Sequence, residues 1–467
     1  MTVDVLPSDR QAFIGRLISA GTPAPQSLAR AEVYFAAAKA LARLSPSVDD
    51  SPNGRTAAFL VPGRIEFLGK HTDYAGGRSL LCTVDRGFAI IASPRTDRRI
   101  RIVDATPSGP VTFTLDPNLR VTLGHWSNYA MTVARRIARN FPGDLIGADI
   151  AFASDLPQSS GMSSSSAMLV AFFLALAKIN RLSERPEYRE NIRNQEDLAG
   201  YLATIENGQT FRKLAGDNGV GTFGGSEDHT AILCAKPGTL RQYAFCPVRF
   251  ERDIPLPEDH VLAIAASGVV AEKTGDARDE YNALSLAVLT ILDRWNEQTK
   301  HADATLADVI ARGNGTLNLL RKLLREHQPA DISSRLGNRL EQFIAESNHL
   351  IPAAADALAA GRLDELGQLV AESQNLAERL LKNQVPETIF LAKSARDCGA
   401  VAASSFGAGF GGSVWALVRS AEAEEFLSAW RTAYAELFPK RRKSSTFFLT
   451  TGGQPAMDVS TFGRGPR

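Results

Sequence analysis

The sequence predicts an α+β protein with two domains, and three observations lead to this fold class. The chain has 467 residues, which is long for one domain. Short apolar runs rich in β-branched residues dominate the first half, whereas segments with helical spacing fill most of residues 276–398. Strands and helices form separate groups, so the pattern does not fit an alternating βαβ series.

The first half is predicted to combine a mixed sheet with several helices. Residues 1 to about 50 have helical character, and Ser45–Asn53 is a turn-rich break. The predicted strands are Ala57–Leu68, Ser79–Ala92, Arg99–Val103, Val111–Thr114, Ala148–Ala153, Thr230–Ala235 and Arg241–Cys246. Three helices are predicted in this half: one begins near Trp126, and the other two cover Ser163–Asn180 and Gln195–Lys213.

A charged, proline-rich segment, Pro247–Glu258, marks the predicted domain boundary. We therefore assign residues 1–250 to an N-terminal domain, 251–455 to a C-terminal domain and 456–467 to a disordered tail. In the second domain the predicted strands are Val261–Ser267, Gly399–Ser404, Val414–Val418 and Ser445–Thr450, with a helix at Glu422–Phe438.

Composition and charge exclude several classes of function. A hydrophobic fraction of 44% with 22% charged residues is ordinary for a globular protein, and the net charge is +1. Neither nucleic acid nor an anionic membrane has an electrostatic basis for binding. No apolar run approaches the roughly 20 residues that span a bilayer, no secretory signal opens the chain, and the four cysteines are widely spaced. We expect a cytoplasmic protein with free thiols.

The most informative segment is residues 61–81, VPGRIEFLGKHTDYAGGRSLL. An apolar run is broken at Gly69, and a cluster of polar residues and glycines follows, namely Lys70, His71, Asp73, Tyr74, Gly76 and Gly77. Side chains with both donors and acceptors at a strand end suit a small polyhydroxylated ligand. A surface hairpin with a polar turn is the alternative interpretation.

A serine-rich loop, Gly161–Ala167 (GMSSSSA), leads into an apolar helix. Backbone N–H groups at a helix N-terminus are unpaired and attract an anion, and hydroxyl groups can reach phosphate oxygens or a metal ion. The pattern predicts a phosphate-binding loop, with a simple helix N-cap as the alternative. The chain has no Walker sequence, which excludes the P-loop kinases.

A glycine loop near the C-terminus, residues 407–412 (GAGFGG), formally satisfies G-x-G-x-x-G through Gly407, Gly409 and Gly412. A dinucleotide-binding motif must open a helix, whereas the strand-like Ser413–Val418 follows here. We therefore predict a positioning role for this loop, with a plain β-hairpin turn as the alternative.

Together and in this order, the three segments resemble the motifs of the GHMP small-molecule kinases, and H-T-D-Y-x-G-G resembles the galactokinase signature. The resemblance covers roughly Ala31–Thr451. It implies a two-domain architecture, with an N-terminal mixed-sheet and helix domain and a helix-rich, ferredoxin-like C-terminal domain. It also implies an ATP- and Mg²⁺-dependent sugar 1-kinase, with galactose as the default substrate. We expect a monomer or weak homodimer.

The resemblance implies roles on the nucleotide side. Residues expected to hold or flank ATP are Gly161, Met162, Ser163, Ser164, Ser165, Gly407, Gly409 and Gly411. Ser164, Ser165 and Glu206 would ligate Mg²⁺. More residues separate Glu206 from Asp228 than galactokinases usually have, and an exposed helical glutamate is the alternative.

The resemblance also implies a catalytic pair. Asp228, in G-G-S-E-D-H, matches an aspartate close to the anomeric hydroxyl of the sugar, and His229 replaces a glutamine. Arg64 matches the arginine beside that aspartate, where a cation would keep Asp228 ionised and offset charge on the phosphoryl group. A structural salt bridge is the alternative for Arg64. A non-catalytic sugar or nucleotide sensor would be expected to lose these residues or the serine loop, and this chain keeps them.

On the sugar side, His71 and Asp73 match residues that contact hexose hydroxyls, and Gly76 and Gly77 share their loop. Lys70 stands where galactokinases typically carry glutamate, and a lysine donates hydrogen bonds but accepts none. If Lys70 points into the pocket, a uronic acid is favoured; if it turns outward, galactose is still accepted. Tyr281, within residues 272–282, is a further candidate for sugar contact without a clear match.

Overall fold

The computed structural model describes residues 10–45, 56–106, 109–121, 125–157, 160–269, 276–326 and 329–462. Within these ranges the strands are β1 (Ala57–Leu68), β2 (Arg78–Pro94), β3 (Arg99–Asp104), β4 (Val111–Thr114), β5 (Ala148–Ser154), β6 (Thr239–Ala244), β7 (Arg249–Pro255), β8 (His260–Ala266), β9 (Ala402–Phe406), β10 (Ser413–Arg419), β11 (Thr446–Thr450) and β12 (Met457–Asp458).

The helices of the first domain are α1 (Arg10–Ser19), α2 (Ala24–Leu44), α3 (Ser127–Asn140), α4 (Ser164–Ile179), α5 (Pro186–Asn191), α6 (Gln195–Asn207) and α7 (Glu227–Cys234). Those of the second are α8 (Asp276–Thr299), α9 (Leu306–Ala311), α10 (Asn314–Arg325), α11 (Ala330–Ile344), α12 (Ile351–Ala359), α13 (Leu363–Leu376), α14 (Pro386–Asp397) and α15 (Ala423–Leu437). Two π-helical segments, Ala345–Leu350 and Ala377–Leu381, follow α11 and α13.

The first domain is built on a mixed sheet of eight described strands. Its main order is β12-β1-β2-β5-β3-β4, with β6 paired to β2 and β7 to β6; β3 and β5 run parallel and the other described pairs antiparallel. Alternate residues of β1 enter different cores: Ala58 and Leu60 pack with α2, whereas Phe59 and Val61 belong to the core that contains α4. Burial on both faces explains why this strand is a continuous apolar run.

The second domain carries a four-stranded antiparallel sheet in the order β11-β8-β10-β9. Helices α8–α14 connect β8 to β9, and α15 connects β10 to β11. This βαββαβ arrangement is ferredoxin-like with an expanded helical insertion. The predicted α+β class and helix-rich, ferredoxin-like second domain are confirmed.

Two local predictions are wrong, and one strand was not predicted. Thr230–Ala235 was expected as a strand, but the segment belongs to helix α7, which packs against β1, β2, α4 and α6. Short apolar runs cannot be assigned by periodicity alone, and burial decides here. The helix predicted over Gln195–Lys213 ends at Asn207, because Gly208 (φ 86°) terminates it in a left-handed conformation. The charged strand β7 escaped the sequence analysis.

The change from one sheet to the other falls at residues 256–259, between the end of β7 and the start of β8. The chain then returns: β12 pairs with β1, and Val459 N donates to Ala58 O (2.9 Å). The prediction of disorder from residue 456 onward is therefore wrong for this strand, which completes the first sheet. Residues 463–467 and most of the predicted break at Ser45–Asn53 lie outside the described residues.

The described helices include none with the length and apolarity needed to cross a bilayer.

Candidate active site

A polar cleft between the two domains collects residues from the sugar motif and the glycine loop, and Arg64 links it to the serine loop through Gly161 O. The residues that line it are Arg64, Glu66, His71, Asp73, Glu206, Gly224, Gly225, Glu227, Asp228, His229, Tyr281, Gly407 and Ala408. Strand β1, the 69–77 loop and the start of α7 supply most of these groups, and the glycine loop closes the cleft from the second domain.

Arg64 and Asp228 form a buried ion pair at the base of this cleft. Arg64 Nε donates to Asp228 Oδ1 at 2.6 Å, and a second nitrogen, Nη1, donates to Gly161 O at 2.7 Å. Burial lowers the pKa of the guanidinium, but the neighbouring carboxyl groups outweigh burial and the net pKa is raised, so Arg64 stays charged. One side chain thus ties the predicted catalytic aspartate to the serine loop.

The serine loop and the glycine loop pack directly against each other. Ser163 adopts a left-handed conformation (φ 55°) and its side chain makes no capping hydrogen bond to α4, which argues against the simple N-cap alternative. Ser413 Oγ donates to Ser160 O (2.6 Å), and Met162 O accepts the backbone N–H of Arg64 (3.2 Å). A Cβ on Gly407 would lie 2.6 Å from the carbonyl oxygen of Gly161, so only glycine permits this approach.

The other two predicted glycines of that loop face the second domain. A Cβ on Gly409 would clash with Asn383 O, and one on Gly411 would meet Val269 O at 2.9 Å. Gly407 lines the cleft, whereas Gly409 and Gly411 do not. Their positions suit a role in supporting the loop more than direct contact with a nucleotide.

Ser166, which the sequence analysis missed, joins the predicted metal ligand to the predicted catalytic group. Its hydroxyl lies 2.9 Å from Glu206 Oε2 and 3.2 Å from Asp228 Oδ2, so its single proton can serve either carboxylate. Glu206 is only 6% exposed, which rules out the alternative of a solvated helical glutamate. His229 Nε2 lies 3.3 Å from Glu206 Oε2. In the sequence, the run of four serines was the only sign of this contact, and it did not distinguish Ser166 from the three serines before it.

The predicted metal ligands Ser164 and Ser165 are half-buried in the first turn of α4, next to Ser166. The donors available in this region are therefore oxygen atoms. Among the described residues no group of three or more His, Cys, Asp or Glu side chains is arranged to hold a metal ion.

Three polar side chains form the sugar-motif wall of the cleft. His71 interacts through Nδ1 with Tyr74 Oη (3.0 Å) and through Nε2 with Ala408 O (3.0 Å). Asp73 Oδ2 accepts the backbone N–H of Glu227 at 3.0 Å. Tyr281 lies with its ring centroid 5.4 Å from that of His71, and burial raises the pKa of its phenol well above the ordinary value, so it is a neutral hydroxyl.

Gly76 and Gly77 do not line the cleft. A Cβ on Gly76, which has φ 80°, would lie 2.6 Å from Thr305 Oγ1, and one on Gly77 would lie 2.7 Å from Phe343. These glycines let the loop approach the helices of the second domain, and their place in sugar binding stays a prediction.

The structure does not bring Lys70 into the cleft. Its ammonium is 1% exposed and donates to Ser404 Oγ (2.8 Å) and Ser373 Oγ (3.3 Å) of the second domain. Ser373 Oγ in turn donates to Glu346 Oε1 (2.9 Å). A buried ammonium needs acceptors, and these oxygens supply them. Of the two orientations left open for Lys70, the structure has the one that turns away from the cleft, although the side chain enters a buried interface and not solvent.

Two buried glutamates in the cleft were also missed. Glu66 Oε2 accepts from Gly407 N (3.3 Å), and Glu227 Oε2 accepts from Ser79 Oγ (2.6 Å). Burial raises the pKa of Glu66 to about 7 against the lowering effect of Lys70 and Arg64. Burial also raises the pKa of Glu227, and the nearby carboxyl groups add to the increase. Period-2 spacing from Arg64 along β1 could have placed Glu66 on the same face.

Three family models match the chain. The galactokinase galactose-binding signature matches residues 50–94, the GHMP kinase N-terminal domain matches 128–218, and the GHMP kinase C-terminal model matches 354–436. These segments contain, respectively, the sugar motif, the serine loop with Glu206, and the glycine loop.

The chain is also similar to proteins named galactokinase. One from Chloroflexus aggregans is 30% identical over 384 residues, which cover 80% of this chain and 87% of the relative. One from a Roseiflexus species is 27% identical over 377 residues, covering 80% and 86%. The fold is similar to the crystal structure of Lactococcus lactis galactokinase complexed with galactose, with a TM-score of 0.73, 21% identity and coverage of 90% and 98%.

Proposed function

The chain belongs to the galactokinase family of the GHMP kinases, and from this premise we propose that it transfers the terminal phosphoryl group of ATP to the anomeric hydroxyl of galactose. The observation that carries the proposal is the buried Arg64–Asp228 ion pair. Arg64 also donates to Gly161 O of the serine loop, and the pair lines the cleft together with His71 and Asp73 of the sugar motif.

We assign the handling of the hydroxyl proton to Asp228. One carboxylate oxygen is held by Arg64 Nε and the other lies beside Ser166, which together fix the carboxylate in the cleft. Phosphoryl transfer depends on alignment and on neutralising charge more than on covalent chemistry by the protein. Asp228 would orient the sugar hydroxyl and accept its proton, while Arg64 would offset negative charge on the transferred group.

The nucleotide side would use backbone N–H groups of residues 161–165 at the start of α4 to hold the phosphates. Glu206 with Ser164 and Ser165 offers the oxygen donors that Mg²⁺ prefers, and the absence of a three-residue metal cluster among the described residues suits an ion that also takes phosphate ligands. When bound, Mg²⁺ would neutralise charge on the phosphates.

The sugar side would use His71, Asp73 and Tyr281, whose polar groups line the cleft beside Asp228. The buried orientation of Lys70 supports galactose over a uronic acid, because no ammonium is left to pair with a substrate carboxylate at this position.

The test is a coupled assay of ADP formation over a panel of hexoses and uronic acids, with ATP and Mg²⁺ in excess. We expect sugar-dependent turnover with galactose and little with galacturonate. Binding of ATP and galactose without turnover of any sugar would contradict the proposal and identify a sensor on the same fold.

A further inference from the structure

We propose that Glu66 is a sugar-binding residue of this chain, which accepts a hydrogen bond from a substrate hydroxyl and favours neutral sugars over uronic acids. The inference deepens the proposed function and rests on it for the identity of the ligand.

Geometry places the Glu66 carboxyl at the cleft with one oxygen available. Glu66 lies two residues after Arg64 on β1, so both side chains project from the same face of the strand. Oε2 accepts the N–H of Gly407, whereas Oε1 is buried and receives no hydrogen bond from an N–H or hydroxyl donor of the described residues; the carboxyl of Glu227 lies close enough to interact with the Glu66 carboxyl. A buried acceptor without a donor is destabilising. A sugar hydroxyl in the cleft would satisfy it.

The second glutamate of the cleft is less suited to this task. Glu227 already accepts from Ser79 Oγ at 2.6 Å through Oε2, and its backbone N–H is held by Asp73. Its side chain is therefore fixed toward the 69–79 segment. Glu66, by contrast, stands beside Gly407 at the wall formed by the second domain.

The charges around Glu66 explain why a uronic acid would be rejected. Five carboxyl groups line the cleft (Glu66, Asp73, Glu206, Glu227 and Asp228), against one guanidinium. That guanidinium, on Arg64, is already bonded to Asp228 and to Gly161 O, and the ammonium of Lys70 is held by two serines. A substrate carboxylate would thus be desolvated without a cation to pair with it, which is strongly unfavourable.

The position of Lys70 supports the same assignment. Lys70 and Arg64 both contribute positive charge to the surroundings of Glu66, and Glu227 and Glu346 contribute negative charge. Lys70 cannot accept a hydrogen bond in place of the glutamate that galactokinases typically carry at this position. From behind the cleft, however, the charge of Lys70 favours the ionised form of Glu66, which is the form that accepts hydrogen bonds from a sugar.

The experiment combines a protein variant with deoxy sugars. Galactose and its 2-, 4- and 6-deoxy derivatives are titrated by calorimetry, without nucleotide, into the wild type and Glu66→Gln at pH 8. We expect Glu66→Gln to weaken galactose binding about tenfold, because charge-assisted hydrogen bonds are roughly twice as strong as neutral ones. The loss should shrink to about twofold for the one deoxy sugar that lacks the bonded hydroxyl. Galacturonate should gain relative to galactose in the variant.

Glu251→Gln is the matched control, since Glu251 pairs with Arg78 on the first sheet and does not line the cleft. An unchanged galactose affinity in Glu66→Gln, or an equal loss for every sugar, would overturn the inference, and so would a wild type that binds none of the sugars. If Glu66→Gln fails to fold, Glu66→Asp keeps the charge beside Lys70 while withdrawing the acceptor, and the same pattern is expected.

The two proposals fail separately. Sugar binding that depends on Glu66 without turnover would refute the kinase proposal and leave the inference standing. Turnover of galactose with unchanged binding in Glu66→Gln would do the reverse.

Discussion

The proposed nucleotide side and the proposed sugar side of the site are built in different ways. On the nucleotide side, a left-handed Ser163, the N-terminus of α4 and the close approach of Gly407 to Gly161 create the site mainly from backbone. On the sugar side, the site consists of side chains, and their directions depend on partners from other parts of the chain. Lys70 and Glu66 are four residues apart, yet one is buried against the second domain and the other lines the cleft.

A sequence motif therefore predicts a site built from backbone more reliably than a site built from side chains. A backbone-made anion site requires small residues and a helix start, and both requirements are visible in sequence. In a pocket built from side chains, a residue elsewhere in the fold can take over the role of a motif residue. Such a replacement is recognised only in the folded structure.

The largest expected effect concerns the group that both sides share. Asp228→Asn should lower kcat by about 10²–10⁴ while galactose and ATP affinities stay nearly unchanged, because the amide keeps the size but cannot take the proton. Steady-state kinetics with calorimetric binding checks this. Asp253→Asn, which alters a carboxylate paired with Arg241 outside the cleft, is the control. A variant that kept more than about a tenth of kcat would show that Asp228 is not the catalytic group.

The free energy of unfolding should depend on pH because Glu66, on the sugar side, is buried. Its pKa is raised from 4.5 to about 7 by burial, so the folded state binds this proton more tightly than the unfolded state does. Its contribution to stability is therefore greatest below pH 4.5 and falls as the pH rises to about 7.

Glu66→Gln cannot lose a proton, so the wild type should lose stability relative to this variant between pH 4.5 and 7. Urea unfolding of both proteins across this range gives the difference. A constant difference would show that Glu66 titrates normally and is not buried as described.

On the nucleotide side, Ser164→Ala combined with Ser165→Ala should raise KM for ATP and the Mg²⁺ requirement about 10–100-fold, since hydrogen bonds to charged groups contribute roughly 1.5–3 kcal/mol. The galactose KM should not change, which makes it an internal control. Alanine is the best helix former and Ser163 does not cap α4, so Tm should be preserved. A large fall in Tm with unchanged ATP kinetics would mean that the serines have a structural role only.

The smallest effect on specificity is expected from Lys70. Lys70→Met should lower Tm, because it removes the donor to Ser404 and Ser373. The ratio of kcat/KM for galactose to that for galacturonate should not rise, since the ammonium does not line the cleft and the loss of its charge behind Glu66 can only weaken the ionised acceptor. A shift of tenfold or more toward galactose would return Lys70 to the sugar pocket.

Much of the fold was predictable, because burial on two faces leaves a continuous apolar run such as β1, and helical spacing marks the insertion between β8 and β9. Short or charged elements were not predictable: α7 contains a brief apolar run, and β7 (RFERDIP) is mostly exposed, with only Ile254 buried. The pairing of β12 with β1 joins residues about 400 apart in sequence, which no local pattern encodes.

In the site, Arg64, Asp228 and the serine loop could be placed from motifs, since each matches a fixed local pattern. Ser166 could not, because its contact with Asp228 depends on how α4 faces α7. The direction of Lys70 depends on Ser404 and Ser373, more than 300 residues further along the chain. Contacts of this kind arise from domain packing and leave no signal in a single sequence.

The most direct test of the central claim is the position of the transferred phosphate. Wild-type protein is incubated with ATP, Mg²⁺ and galactose, and the product is examined by ³¹P and ¹H NMR. We predict a sugar phosphate whose phosphorus couples to the anomeric proton. Phosphate on another carbon, or only inorganic phosphate, would contradict it.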